Sequence, residues 1–155
     1  MGITIDGRAT TDALTRLLAA CDDLSEVAER ARAEALGHAI LGARANIYNT
    51  TPGAYQRTQE YLRGLDAQGR AGRTTATVTV SNSTPYAPYV ELGRTGLGYE
   101  ALQALALAQP DPGSPLTLGR SGQRWFLPGP ILTGAQAFAL YRMRELFVEK
   151  VRGVL

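Results

Sequence analysis

Few side chains in this sequence are equipped for chemistry. It holds a single histidine, His38, and a single cysteine, Cys21, so neither a His/Cys metal cluster nor an internal disulfide can be built from it. His38 stands between Gly37 and Ala39 in a run of helical periodicity, where a packed or solvent-facing residue is a simpler reading than a general base. Cys21 repeats the spacing of Leu14, Leu17 and Leu18 and reads as a small hydrophobe. Asp22 and Asp23 fall at a helix start, where the helix dipole accounts for them. Gly93, Gly96 and Gly98 superficially resemble a phosphate-binding loop, but no lysine follows at the required position. No nucleophile, base and orienting partner can be assigned, and no residue set implies a cofactor. A hydrolase finds no constellation to stand on, and the expectation is a protein that is not an enzyme.

Arginine offers a second route to function. Arg57, Arg63, Arg70 and Arg73 cluster near Tyr55 and Tyr61, the composition of a nucleic-acid contact. Against this stand a net charge of only +2 and the absence of a zinc-finger, RNP-type or helix-turn-helix signature. A DNA-binding module using a basic hairpin is therefore an alternative, with Arg70 and Arg73 as its contacts to DNA or to a neighbouring subunit; a solvated loop is the plain reading of the same residues. Glu91 is the remaining residue of interest, an acid in an otherwise apolar stretch. Such an acid needs a partner, either an arginine or a backbone amide at a helix start, unless it simply faces solvent on a turn.

The elements that would position these residues can be read from periodicity. Ile3-Thr4-Ile5 suggests a short edge strand or a flexible arm over residues 1–8, and Thr10 or Thr11 would cap a first helix carrying Leu14, Leu17, Leu18 and Cys21. Asp23 and Glu26 have the spacing of a capping box for a second helix, through Val27, Ala31, Ala35 or Leu36 and Ala39 to Ile47. Its many alanines and glycines let another element lie close, inside the subunit or in a neighbouring one. From Tyr61 to Ala67 the pattern alternates, residues 68–73 supply turn residues, and Thr75 to Ser81 is β-branched at period two. That is a β-hairpin with a mobile basic tip. Residues 101–107 predict a short helix stopped by Pro110, residues 109–122 an exposed Pro/Gly-rich loop, and residues 123–127 a further strand bearing Trp125 and Phe126. Pro128 and Pro130 lead into a C-terminal helix with Ile131, Leu132, Ala135, Phe138, Ala139, Leu146, Phe147 and Val151 on its apolar positions.

The expected fold class is α+β in a single domain, 1–155: a long N-terminal helical region, a small antiparallel sheet made of the hairpin plus a further strand, and a C-terminal helix packed on it. Hydrophobic content of 45% with 19% charged residues suits a globular chain. No run approaches the roughly 18 apolar residues of a membrane span and no signal-peptide pattern opens the sequence, so no membrane partner is expected and synthesis in a cytoplasm is.

Three segments together carry a resemblance: Thr51-Pro52-Gly53 with Arg57-Thr58; Tyr86-Ala87-Pro88-Tyr89-Val90-Glu91-Leu92-Gly93; and Trp125-Phe126-Leu127-Pro128 before Ile131-Leu132. In order and spacing the chain resembles the small tail-completion or neck proteins of long-tailed double-stranded DNA bacteriophages, over about residues 12–152. The family pattern has a threonine directly after the glycine, where this sequence has Arg94 before Thr95. The resemblance implies a structural virion protein, made in the bacterial host. It would assemble as a homo-oligomeric ring, a hexamer in the family's manner, that completes the tail or joins head and tail around the DNA passage. Its partners would be other copies of itself, the neck proteins (connector or adaptor, head-closure and tail-terminator proteins), the tail tube protein and DNA in the lumen. A tail terminator or a head-closure stopper is the alternative within the same class. Tyr86, Tyr89, Glu91, Gly93, Trp125 and Phe126 are the candidate interface or fold-motif residues.

Overall fold

The computed structural model describes residues 7–155. The strand or arm expected at Ile3-Thr4-Ile5 lies outside the described residues, whereas Arg8, expected in the arm, opens helix α1 (Arg8–Asp22). Thr10 and Thr11 are therefore inside the helix and do not cap it; the Thr11 hydroxyl instead donates back to the Gly7 carbonyl at 3.1 Å. Helix α2 (Ser25–Ala43) continues without a break into a π-helical segment, Arg44–Tyr48. The expected capping box does not form. Asp23 accepts from the amide and hydroxyl of Ser25, at 3.0 and 2.6 Å, in a turn just ahead of the helix. Glu26 lies 3.9 Å from Arg30 in an exposed i,i+4 pair instead.

After the loop at Pro52 come a one-turn helix α3 (Glu60–Arg63) and the hairpin β1 (Leu65–Ala71) and β2 (Ala76–Asn82). The strands pair antiparallel from Leu65 opposite Asn82 to Ala71 opposite Ala76. The strand expected from Tyr61 begins only at Leu65, because Tyr61 to Arg63 coil into α3. Residues 68–71, expected in the turn, are paired strand. Helices α4 (Ala87–Leu92), α5 (Tyr99–Leu107) and α6 (Ile131–Arg152) complete the order.

The fold is α+β, and α6 packs on the sheet as expected. Among the described residues the sheet has two strands. The further strand expected over residues 123–127 is a turn, because the groups that bond its backbone are side chains and isolated amides instead of a neighbouring strand. Residues 109–122 form no helix or strand, yet they are not a freely exposed loop: Arg120 and Gly122 are buried, and Asn46 Nδ2 donates to the Leu116 carbonyl at 3.0 Å.

The small residues of α2 are used inside the subunit. Ala31, Ala35, Ala39 and Ala43, one turn apart, are fully buried, as is Ala135 of α6. A Cβ on Gly42 would sit 3.5 Å from Ile131 Cγ2, and one on Gly69 of β1 would sit 2.9 Å from the Ala28 carbonyl oxygen. Helix, helix and strand thus approach as closely as backbones allow. α6 runs antiparallel to α2, with Ile131 beside Gly42 at one end and Arg142 ion-paired to Glu34 further along. Ala67 and Val80, opposite one another in the hairpin, face this core.

Candidate functional site

The three segments singled out in the sequence meet in space. Gly53 and Gly122 cross at a distance that leaves no room for a side chain on either, and the Gly122 amide donates to the Thr51 carbonyl while the Ala54 amide donates to the Gly122 carbonyl, both at 2.9 Å. Arg57 folds back on the end of the π-helical segment, donating to the carbonyls of Tyr48 and Thr50. α4 is stitched to the 125–129 turn at its far end: the Arg94 amide donates to the Phe126 carbonyl at 2.7 Å and the Gly129 amide to the Val90 carbonyl at 2.8 Å. Buried Arg120 holds that turn from below by donating to the carbonyls of Trp125 and Leu127.

Glu91 is the pin of this arrangement. Its side chain is fully buried and is aimed at the first turn of α6. One carboxylate oxygen accepts the amides of Ile131 and Leu132 at 2.9 and 3.0 Å; the other accepts the Thr133 amide at 2.7 Å and the Thr133 hydroxyl. The first amides of a helix lack partners within it, and an anion there is favoured by the helix dipole. Of the two kinds of partner expected for Glu91, the structure provides the backbone amides. Burial raises its carboxyl above the usual carboxylate range, against the downward pull of Thr133 and the amides of Leu132 and Ile131. A carboxylate so occupied has no oxygen left for substrate.

Gly93 ends α4 at φ 61° and ψ −147°, a region essentially restricted to glycine. A Cβ there would lie 2.7 Å from Leu127 C and Pro128 N. Its lack of a side chain is what lets α4 and the turn lie face to face.

These contacts frame a groove of about 560 Å³. Tyr61 forms part of its wall, fully buried; Tyr86, 36% exposed, stands 6.3 Å from it ring to ring, and Tyr89 and Trp125 stand on the rim at 71% and 37%. Guanidinium groups alternate with the rings. Arg94 lies 4.9 Å over Trp125, and Arg57 and Arg120 lie 6.0 and 5.7 Å from the centre of Tyr55, within cation–π range. Tyr55 Oη, Tyr61 Oη, Arg57 Nε and Arg120 Nε, all buried, make no hydrogen bond within the described residues. Burial, together with the nearby Glu91 carboxylate, holds the Tyr61 hydroxyl well above its usual range, so it stays protonated.

Tyr86, Tyr89, Glu91, Gly93, Trp125 and Phe126 are thus gathered on one end of the molecule. Arg70 and Arg73 are not. Arg70 sits in β1 opposite Thr77, and Arg73, in the hairpin turn, pairs with Asp22 at the end of α1 at 3.3 Å. The arginine cluster expected around Tyr55 and Tyr61 is divided between two ends of the fold. Sequence reasoning missed Arg120 as a groove residue; its position within a Pro/Gly-rich stretch carries no local signal. His38 is away from the groove, buried and stacked at 4.4 Å on Phe138. The backbones of Ser114 and Pro112 face its ring, but neither nitrogen meets a partner with hydrogen-bond geometry. Among the described residues no group of three His, Cys, Asp or Glu could hold a metal ion, and no helix is long and apolar enough to cross a membrane. No family model matches the chain, and no curated protein or solved structure matches it.

Proposed function

We propose that this chain is a structural subunit of the neck or tail end of a tailed bacteriophage particle, a non-catalytic protein whose copies form a ring that completes the tail or joins head and tail. The observation that carries the reading is the convergence of the three resembling segments on one arginine-aromatic groove. Residues separated by some forty positions at a time are stitched together there by buried backbone hydrogen bonds, a buried carboxylate and three glycine contacts. That investment rigidifies a surface whose outward side chains, Tyr86, Tyr89, Trp125 and Phe126, are aromatic and exposed. Rigid exposed aromatics are the usual anchors of protein contacts, whereas the site's one buried acid is consumed in holding a helix.

Within the class, a tail terminator or a head-closure stopper shares this location and differs in its neighbours. The DNA-binding alternative draws less support, since Arg57 and Arg120 are turned to backbone carbonyls and Arg73 to Asp22. Light scattering and electron microscopy of the purified protein test the reading: closed rings without DNA retention are expected. A strict monomer whose log affinity for DNA falls steeply with log salt would overturn it in favour of DNA binding.

A further inference from the structure

The groove holds a buried arginine with no counter-charge. Arg120 is only 9% exposed, and both of its hydrogen bonds leave Nη1 for backbone carbonyls, those of Trp125 and Leu127. Its Nε, also buried, donates to nothing within the described residues. Carbonyls orient a guanidinium but do not neutralise it. Burial lowers the Arg120 pKa, and no carboxylate is among the groups that offset the effect. The buried acid nearby, Glu91, spends both oxygens on the first turn of α6.

Arg57 and Arg94 line the same groove and are equally unpaired. The ion pairs of the described residues join Arg30 to Glu26, Arg32 to Glu29, Arg73 to Asp22, and Arg142 to Glu34 and Glu145; none takes a groove arginine. Glu60, the one acid in the lining, is exposed and makes no ion pair with any of the three. The contrast with Arg142 is informative: its side chain is 20% exposed and meets two carboxylates, whereas the more deeply buried Arg120 meets none. A cation removed from water without an anion is costly unless something supplies that anion.

Arg57 Nε and the hydroxyls of Tyr55 and Tyr61 also lack partners, and the two arginine Nε groups can only donate. What the groove is short of is an anionic acceptor. The rest of its lining is apolar or aromatic, with Ile47 and Val90 inside and Tyr86, Tyr89 and Trp125 toward the rim, which suits an acid carried between apolar groups. Duplex DNA presents one charge per roughly 1.7 Å of its axis and calls for a stripe of exposed cations. Here the deepest cation is a single recessed point.

We propose that the groove takes up an acidic side chain with apolar neighbours from a stretch of an adjoining protein subunit, its carboxylate supplying the charge that Arg57, Arg94 and Arg120 lack. This rests on the reading of the protein as an assembly subunit and adds the chemistry that its aromatic end recognises. The rim rings cover the apolar neighbours, and excluding water there strengthens the charge contact.

The test titrates the full-length chain, held dilute enough for light scattering to show monomer, with two peptides differing in one charge: acetyl-Leu-Glu-Leu-amide and acetyl-Leu-Gln-Leu-amide. Trp125, the protein's only tryptophan, reports occupancy by its fluorescence. The glutamyl peptide is expected to saturate the signal at millimolar concentration, and the glutaminyl peptide to bind about tenfold more weakly or worse. Arg94→Gln, at an exposed position, should weaken the glutamyl peptide about threefold and leave the glutaminyl peptide unchanged; Arg70→Gln, on the hairpin, should alter neither. Equal binding of the two peptides, or binding of neither up to about 20 mM, overturns the proposal. Competition for the site by a short oligothymidylate overturns it in favour of nucleic acid.

The two readings fail separately. Closed rings at higher concentration with no charge preference in the titration remove the acidic docking and keep the ring. A charge-selective groove on a chain still monomeric at about 1 mM keeps the docking and removes self-assembly.

Discussion

Removing the Glu91 carboxylate should be among the most damaging single changes available in this protein. In Glu91→Ala the amides of Ile131, Leu132 and Thr133 and the hydroxyl of Thr133 lose their acceptor. Water cannot replace it at Ile131 and Thr133, which are buried. The Ile131 amide keeps a second contact, 2.7 Å to the Gly129 carbonyl, so the loss falls chiefly on Leu132 and Thr133. A buried donor left without a partner costs about 1–3 kcal/mol. With the Leu132 and Thr133 amides left so and the Thr133 hydroxyl losing its acceptor as well, we expect a loss of about 3–5 kcal/mol. For a chain of this length that corresponds to a fall of roughly 10–15 °C in Tm, a large share of the 5–15 kcal/mol a typical domain possesses. Glu91→Gln keeps one acceptor but turns an NH2 group toward amide donors on the other side, and should lose about 2–3 kcal/mol. Urea unfolding followed both by helical circular dichroism and by Trp125 fluorescence measures these losses, and the Gln variant carries the test if the Ala variant is too unstable to purify. Thr133→Val should be costly in the unmodified chain and nearly neutral beside Glu91→Ala, since the two share one interaction. A Glu91→Ala loss below about 1 kcal/mol, or additive losses in the double variant, would refute the account of Glu91 as the cap of α6.

Gly93→Ala should cost several kcal/mol through backbone strain and collision with the Leu127–Pro128 peptide, whereas Gly98→Ala, where a Cβ meets nothing within 4 Å, should stay near neutral by thermal melting. Burial holds the His38 imidazole below its ordinary pKa of 6.5. The unfolded chain therefore takes up the proton first as pH falls, and the stability owed to neutral His38 is complete above about pH 6.5 and declines below it. Tm should accordingly fall more steeply between pH 7 and 5 in the unmodified chain than in His38→Phe, which keeps the stack on Phe138; parallel curves would contradict this. Arg70→Ala, on an exposed strand position, should change stability by no more than about 0.5 kcal/mol and leave assembly unaltered, and a marked loss of assembly would reassign the hairpin to the interface.

Much of the architecture was legible in the sequence because helices and hairpins announce themselves locally. The alanine spacing of α2, the β-branched run of β2 and the double proline ahead of α6 each act within a few residues, and each predicted its element. Errors fell where tertiary contacts outweigh local pattern. Tyr61 alternates with its neighbours as a strand residue would, yet it coils into α3 to bury its ring in the groove wall. Residues 123–127 have strand composition, but Arg120, Arg94 and Gly129 satisfy or anchor that stretch through single bonds, and no second strand is needed.

The site divides in the same way. Sequence alone determined that this chain, with one histidine and one cysteine, builds no His/Cys metal cluster and no internal disulfide, that its backbone is α+β, and that Glu91, in apolar company, required a partner unless it faced solvent. Which partner it found was decided only by the tertiary structure, forty residues away at the start of α6. The same is true of the groove. Its tyrosines and arginines come from five separate stretches of chain, and what brings them together is the close approach of glycine-bearing backbones at Gly53, Gly93 and Gly122, a steric fact that exists only once the chain has folded.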